Sequence, residues 1–328
     1  LKVADAKDSK TADAKDLKVA DAKDSKTADA KDLKVADAKD SKTADAKDLK
    51  DTKTPEVVKP SAPEKIVTLE NDEVKLELST WGAVVKKVTL KKYAKDCGPI
   101  SEENPPVVLD FSDSPLGAGD TVEAFEVAAQ DGRAATFKNG GKSRTISIDR
   151  DYRILLSDKG LGGSVSLGAM RMGDSKNDLL SVDSWAMDAG KGKPGVVHHG
   201  DDDSPLKAYL VGGLSGGCSG SKSAAGMPVE TTVEYPGAQQ WIAVKNRFFV
   251  TALANCTEGN AGFTAVVKRD ANAANYKPES VTAAVNFKGI AAERTLRFFV
   301  GPKKQSLLWD LGMKDVMEFG MWRWLCYP

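Results

Sequence analysis

From about Lys65 onward, apolar and polar residues alternate with a period of two. In IVTLENDEVKLELST the apolar set is Val74, Leu76 and Leu78; in AVVKKVTLKKY it is Val85, Val88 and Leu90. Such alternation places one set of side chains on one face of an extended chain, and the Asn-Asp and Trp-Gly breaks between the runs are turn signals. The same reading predicts strands over 122–128, 144–148, 152–156, 164–167, 229–235, 241–253, 262–267, 280–287 and 294–300. Short strands at about ten-residue spacing with Gly-rich turns predict a mostly β sandwich rather than a βαβ sheet. Its length suits a double-layered sandwich. Helix is predicted only near the C-terminus, where Pro302 can open one and Leu307, Leu308 and Leu311 form a short apolar stripe before Gly312.

After Lys314 the chain reads DVMEFGMWRWLCYP, in which Phe319, Met321, Trp322, Trp324, Leu325 and Tyr327 surround a lone Arg323. Two readings stand side by side. One is a terminal helix docked on the domain. The other is an interfacial segment with these six residues as its membrane-facing set, since Trp and Tyr favour the headgroup level.

The first 48 residues follow a different rule. The unit LKVADAKDSKTADAKD occurs three times without change, and each unit is itself a near-duplicated octad with four Lys and four Asp. Its branched apolar residues are too sparse to offset the cost of ordering the chain. A solvated tether is expected, continuing through the Pro-marked stretch 54–63; a repeat-binding module is the alternative. The expected division is a tether over 1–63, a β domain over 64–305 and amphipathic helical segments over 306–328. The tether also changes how charge is read. Lys+Arg and Asp+Glu total 47 each over 328 residues, and twelve of each cancel within the repeats. The balance gives no support to nucleic-acid binding. No apolar run reaches the ~18 residues of a membrane-spanning helix. Leu1 is not an initiator Met, which suits a processed or excised piece.

Candidate chemistry is sparse. Gly213-Leu214-Ser215-Gly216-Gly217 fits a G-x-S-x-G pattern, yet it lies in a low-complexity loop and both histidines precede it, against the order that a nucleophile elbow requires. His198-His199-Gly200-Asp201-Asp202-Asp203 is the one cluster of metal-ligand types. Adjacent His residues on a strand face opposite ways, so a solvated loop is expected rather than a metal site. Cys97, Cys218, Cys256 and Cys326 show no C-x-x-C spacing. If oxidised they allow three pairings, of which Cys97 with Cys218 is the first to test. No catalytic constellation, metal or cofactor is expected.

Three stretches carry a family resemblance: IVTLENDEVKLELSTWGAVVKKVTLKKY; WIAVKNRFFVTAL with Trp241, Phe248 and Phe249; and RTLRFFVGPKKQSLLWDLGMKDVMEFGMWRWLCYP with Gly301, Pro302 and Lys303 followed by Glu318, Phe319 and Gly320. Together they resemble the large periplasmic domain of the YidC membrane-protein insertase family, over about residues 64–328. In the Glu318-Phe319-Gly320 element Trp322 is displaced by Met321, and two features depart from the family pattern: Trp81-Gly82 replaces the paired glycines of the first turn, and the repeat tether over 1–48 matches no family motif. The resemblance implies a β-supersandwich, similar to galactose mutarotase folds, lying between the first and second membrane helices, with the transport helices following Pro328. It further implies a non-enzymatic domain exposed to the periplasm at the inner membrane, assisting insertion and folding of membrane-protein clients. Its partners would be those clients, the Sec translocon and the membrane surface through the C-terminal segment. The rivals are a carbohydrate-binding or mutarotase-like protein, which would need separated, converging His residues, and a secreted adhesin with a repeat stalk.

Overall fold

In the computed structural model the alternating runs pair into antiparallel sheets, described over residues 60–96, 98–172, 180–187, 193–199, 206–210, 228–256, 258–270, 278–290 and 292–317. In chain order the strands are β1 (Ile66–Glu70), β2 (Val74–Ser79), β3 (Val84–Ala94), β4 (Pro106–Asp110), β5 (Glu126–Gln130), β6 (Ala134–Asn139), β7 (Lys142–Ile148), β8 (Arg153–Lys159), β9 (Gly162–Ser166), β10 (Met170–Arg171), β11 (Ser181–Ala186) and β12 (Gly195–His198). A helical turn α1 (Lys207–Leu210) precedes β13 (Glu230–Pro236), β14 (Gln239–Lys245), β15 (Phe249–Ala254), β16 (Asn260–Arg269), β17 (Pro278–Ile290) and β18 (Glu293–Pro302). A short helix α2 (Gln305–Trp309) and a 3-10 turn (Lys314–Val316) come last.

Among the described residues these strands form three sheets. β1-β2-β3-β4 form a meander. A five-stranded sheet runs β10-β17-β16-β13, with β9 also on β17. A nine-stranded sheet runs β12-β11-β14-β15-β18-β8-β7-β6-β5. One continuous set of buried side chains draws on all three. The expected mostly β sandwich is what the described chain forms.

Local chemistry explains the breaks. Asn71 Oδ1 accepts from the N–H groups of Glu73 and Val74 at 2.8 and 2.7 Å, turning β1 into β2. The three-residue step from Val85 to Val88, which breaks strict alternation, is absorbed by a register shift opposite Glu77 and Leu78, so that both valines stay buried.

Several expectations need correction. The run 241–253 is two strands rather than one. Asn246 Oδ1 accepts from the N–H of Phe248 at 3.0 Å and of Phe249 at 2.8 Å, closing β14 onto β15 as a hairpin. The strand expected over 122–128 is shifted to β5, and Val122 is exposed. Strands β4, β6, β10, β11 and β12 have no counterpart among the expected ones. Pro302 does not open a helix: it ends β18, paired with Phe249. Helix starts only after Lys304 and ends at Trp309; the turn that follows closes at Gly312, whose φ of 69° lets the Met313 N–H reach back to the Leu308 carbonyl at 2.9 Å.

Buried polar groups tie the sheets together. Arg144 donates to both oxygens of Asp158, at 2.6 and 3.0 Å, and to the Gly117 and Ala83 carbonyls at 2.6 and 3.3 Å. It thereby binds β7 and β8 of the large sheet to the turn that enters β3. Arg294 completes the group, donating to Asp158 at 3.1 Å while its guanidinium lies over the Phe287 ring. Gly301 lies against Tyr152, where an added Cβ would come 2.7 Å from the ring carbon Cγ.

Candidate functional site

The titratable cluster of the nine-stranded sheet lies at its β12-β11-β14 end. In the β11–β12 pair Asp183 stands directly opposite His198, and in the β11–β14 pair it stands opposite Ala243, two residues before Lys245. Alternation puts Asp183, His198 and Lys245 on one face. Lys245 is 2% exposed and Asp183 fully buried; the ammonium donates to the Asp183 carboxylate and, at 3.0 Å, to the carbonyl of Val316 in the 3-10 turn. His198 Nδ1 lies 3.2 Å from Asp183 Oδ1. Burial alone would push the Asp183 carboxyl up, but the hydrogen bond from His198 and the charge and hydrogen bond of Lys245 outweigh it and hold the group below the usual carboxylate range.

His199 points the other way, between the sheets. Its Nε2 lies 2.9 Å from Ser184 Oγ, and its ring meets Tyr235 and Phe263 edge-on at centroid distances of 4.2 and 5.1 Å. Burial pushes its pKa down to about 4, so the ring is neutral at pH 7. Beside it lies a cavity of about 520 Å³, lined by Ser184, Met187, Val197, His199, Tyr235 and Gln239 among others. Its lining carries no charged residue.

The solvated loop expected for the His pair is therefore corrected. His198 ends a strand and His199 is buried, because each finds a partner on its own face of the sheet. The expected opposite orientation does occur, and it keeps the two imidazoles from converging on one cavity. Asp201, Asp202 and Asp203 lie outside the described residues, as do Gly213 to Gly217, Cys97, Cys218 and Cys326. The same holds for Phe319, Met321, Trp322, Trp324, Leu325 and Tyr327. Cys256 is a buried free thiol, which burial pushes up to about 12 despite a hydrogen bond from Asn260. Among the described residues no group of three or more His, Cys, Asp or Glu could hold a metal ion.

Sequence reasoning missed Asp183, Ser184 and Lys245. The available signal was a charge inside an otherwise apolar run, Asp183 in SVDSWA and Lys245 in WIAVK. A charge that survives burial needs a partner, and here each is the other's. Chemically the cluster is an ion pair with every strong charge answered, and its outward link is the carbonyl of Val316. It fastens the chain just before the aromatic C-terminal stretch to β14, near one edge of the large sheet.

Comparison with known proteins bears on the same region. Residues 221–328 match the family model described as the YidC periplasmic domain. The membrane protein insertase YidC of Chlorobaculum parvum is 25% identical over 289 residues, covering 81% of this chain and 46% of that protein. Its counterpart from Prosthecochloris aestuarii is 24% identical over 285 residues, covering 81% and 47%. The chain thus spans about half the length of the curated relatives it matches. Among solved structures, a putative aldose 1-epimerase from Escherichia coli K12 aligns with a TM-score of 0.36 at 7% identity, covering 74% of this chain and 99% of that one. YidC from Thermotoga maritima aligns with a TM-score of 0.27 at 10% identity, covering 78% and 59%. The last third of the chain, including Lys245, the Gly301-Pro302-Lys303 stretch and Val316, thus matches the YidC periplasmic domain, and most of its length is similar to two membrane protein insertases named YidC.

Proposed function

We propose that this chain is the periplasmic domain of a YidC-type insertase, assisting insertion and folding of inner-membrane proteins without catalysing a covalent step. The observation that carries the reading is the family match over 221–328, supported by alignment with two insertases over 81% of the chain. The arrangement at the C-terminal end agrees with it. Lys245 holds the Val316 carbonyl, so the aromatic stretch beyond Met317 leaves from a fixed point on the domain. In this reading residues 1–63 are a tether, 64–305 the β domain and 306–328 the link to the bilayer. Phe319, Met321, Trp322, Trp324, Leu325 and Tyr327 contact the membrane, and the Sec translocon and client proteins are the partners. The divergence of His198 and His199 weighs against a mutarotase-like reading, which needs converging groups. The test is complementation. The full-length protein bearing this chain, expressed in cells depleted of their own insertase, should restore insertion of a single-span inner-membrane reporter. Continued accumulation of uninserted reporter, with the protein present at normal level, would overturn the reading.

A further inference from the structure

Two large aromatic side chains stand out of the same end of the nine-stranded sheet. Phe248, in the β14–β15 turn, is 54% exposed, and Trp309, at the end of α2, is 47% exposed. They are neighbours through the backbone: the Lys303 N–H donates to the Phe248 carbonyl at 2.8 Å, and α2 begins two residues later. At 1.5 Å per residue, α2 carries Trp309 only about 8 Å along its axis from Lys304. Each ring is flanked by a cation. The Arg247 guanidinium lies 5.3 Å from the Phe248 centroid, and Lys314 Nζ lies 5.7 Å from that of Trp309. Arg247, Lys304 and Lys314 are all exposed.

Two acidic groups of this end are paired within the protein. Asp310 pairs with Arg153 at 3.6 Å. Glu73 takes hydrogen bonds from Lys92 and from the Tyr152 hydroxyl, and Asp72 and Asp151 act on the Lys92 charge. The cations over the two aromatic rings are Arg247 and Lys314.

From this arrangement we infer that Phe248 and Trp309, with Arg247, Lys304 and Lys314, form a docking face for an anionic bilayer surface. Aromatic rings that project beside cations match the interfacial layer, where rings sit at headgroup depth and Lys and Arg meet lipid phosphate. Position on the chain argues for the same occupant. Met317 is three residues past Lys314, and from there the chain continues as EFGMWRWLCYP, rich in the same residue types. The inference rests on the reading that the domain works beside a membrane, and it adds a contact face on the domain itself, separate from the C-terminal stretch.

The test uses the whole 328-residue chain and vesicle co-sedimentation. Vesicles are of phosphatidylcholine alone or with roughly a third phosphatidylglycerol, at low and high ionic strength. The expected result is binding to the anionic vesicles that weakens with salt. It should fall about tenfold in Phe248→Ser/Trp309→Ser and by a similar factor in Arg247→Gln/Lys314→Gln. A Trp322→Ser/Trp324→Ser variant should keep a salt-sensitive share of the binding. Near-ultraviolet circular dichroism confirms that each variant keeps its fold. Absence of binding by the unaltered chain would overturn the inference, as would equal binding by the Phe248/Trp309 variant or loss only in the Trp322/Trp324 variant. Capture by a protein partner with no vesicle binding would overturn it too. The insertase reading is scored separately by reporter insertion, so either can fail alone.

Discussion

Replacing Lys245 with Met removes a charge from the interior while leaving its partner there. Met fills much of the Lys volume, so packing changes little, but Asp183 remains fully buried with only His198 beside it, and the Val316 carbonyl loses its donor. Breaking a buried pair on one side costs about 3–5 kcal/mol. For a β domain of this size that is a fall in melting temperature of roughly 10 °C. The pH dependence gives a sharper signature. In the native protein the Asp183 carboxyl is held below its ordinary value, so its contribution is present above the unfolded pKa of 3.8 and is lost as pH falls through the folded value. Without Lys245, two of the influences that hold the carboxyl down are gone while desolvation stays, so the folded value moves up. The Lys245→Met variant should then lose more stability at pH 7 than at pH 4. Adding Asp183→Leu removes the orphaned carboxylate and should recover most of the loss. Urea unfolding followed by Trp fluorescence at both pH values measures all of this. Amide exchange over 313–317 should also accelerate in the single variant, because its anchor is gone. A Lys245→Met protein within about 1 kcal/mol of the parent, with an unchanged pH slope, would refute the argument.

Other consequences arise from the same contacts. Because burial lowers the His199 pKa from 6.5 to about 4, an unfolded chain takes up a proton there before the folded one does. Stability should be full above pH 6.5 and fall by up to about 3 kcal/mol toward pH 4, a slope that His199→Gln removes in urea titrations. Gly301→Ala places a Cβ 2.7 Å from the Tyr152 ring, so Tyr152 or β18 must shift; a loss of about 1–3 kcal/mol is expected by thermal unfolding, against little effect for Gly132→Ser, where the space is open and φ is not positive. With its thiol pushed up to about 12 and 2% exposed, Cys256 should resist alkylation at pH 8 until urea unfolds the domain, which mass spectrometry of the Cys256 peptide can follow.

Period-two patterning made much of the β architecture legible. Val74, Leu76 and Leu78 on β2, and the apolar sets of β16, β17 and β18, lie where alternation puts them. What was lost was lost for identifiable reasons. The 241–253 run looked like one strand because its apolar content is continuous, whereas a single Asn246 side chain bonding two backbone N–H groups folds it in half. β11 was invisible because Asp183 and Ser184 interrupt its apolar pattern, and their burial depends on partners that lie 15 and 62 residues away. His198 and His199 looked like loop residues beside three aspartates, since nothing local shows that Asp183 and Ser184 stand opposite them. Gly301 belonged to a recognisable Gly-Pro-Lys stretch, yet the need for glycine there comes from a Tyr152 ring almost 150 residues earlier.

By itself, then, the sequence determined the class of fold, the neutral repeats at its start, the aromatic character of its end and the family it resembles. All of these depend on composition and on side-chain spacing within a few residues, which the chain carries locally. Tertiary structure alone decided which charges are interior, that Lys245 joins Asp183 to the Val316 carbonyl, and that Phe248 and Trp309 emerge at one end. Those facts depend on strand order and register, which bring residues distant in sequence to within about 3 Å of each other. The free energy of a buried charge is set by that encounter and not by its neighbours along the chain.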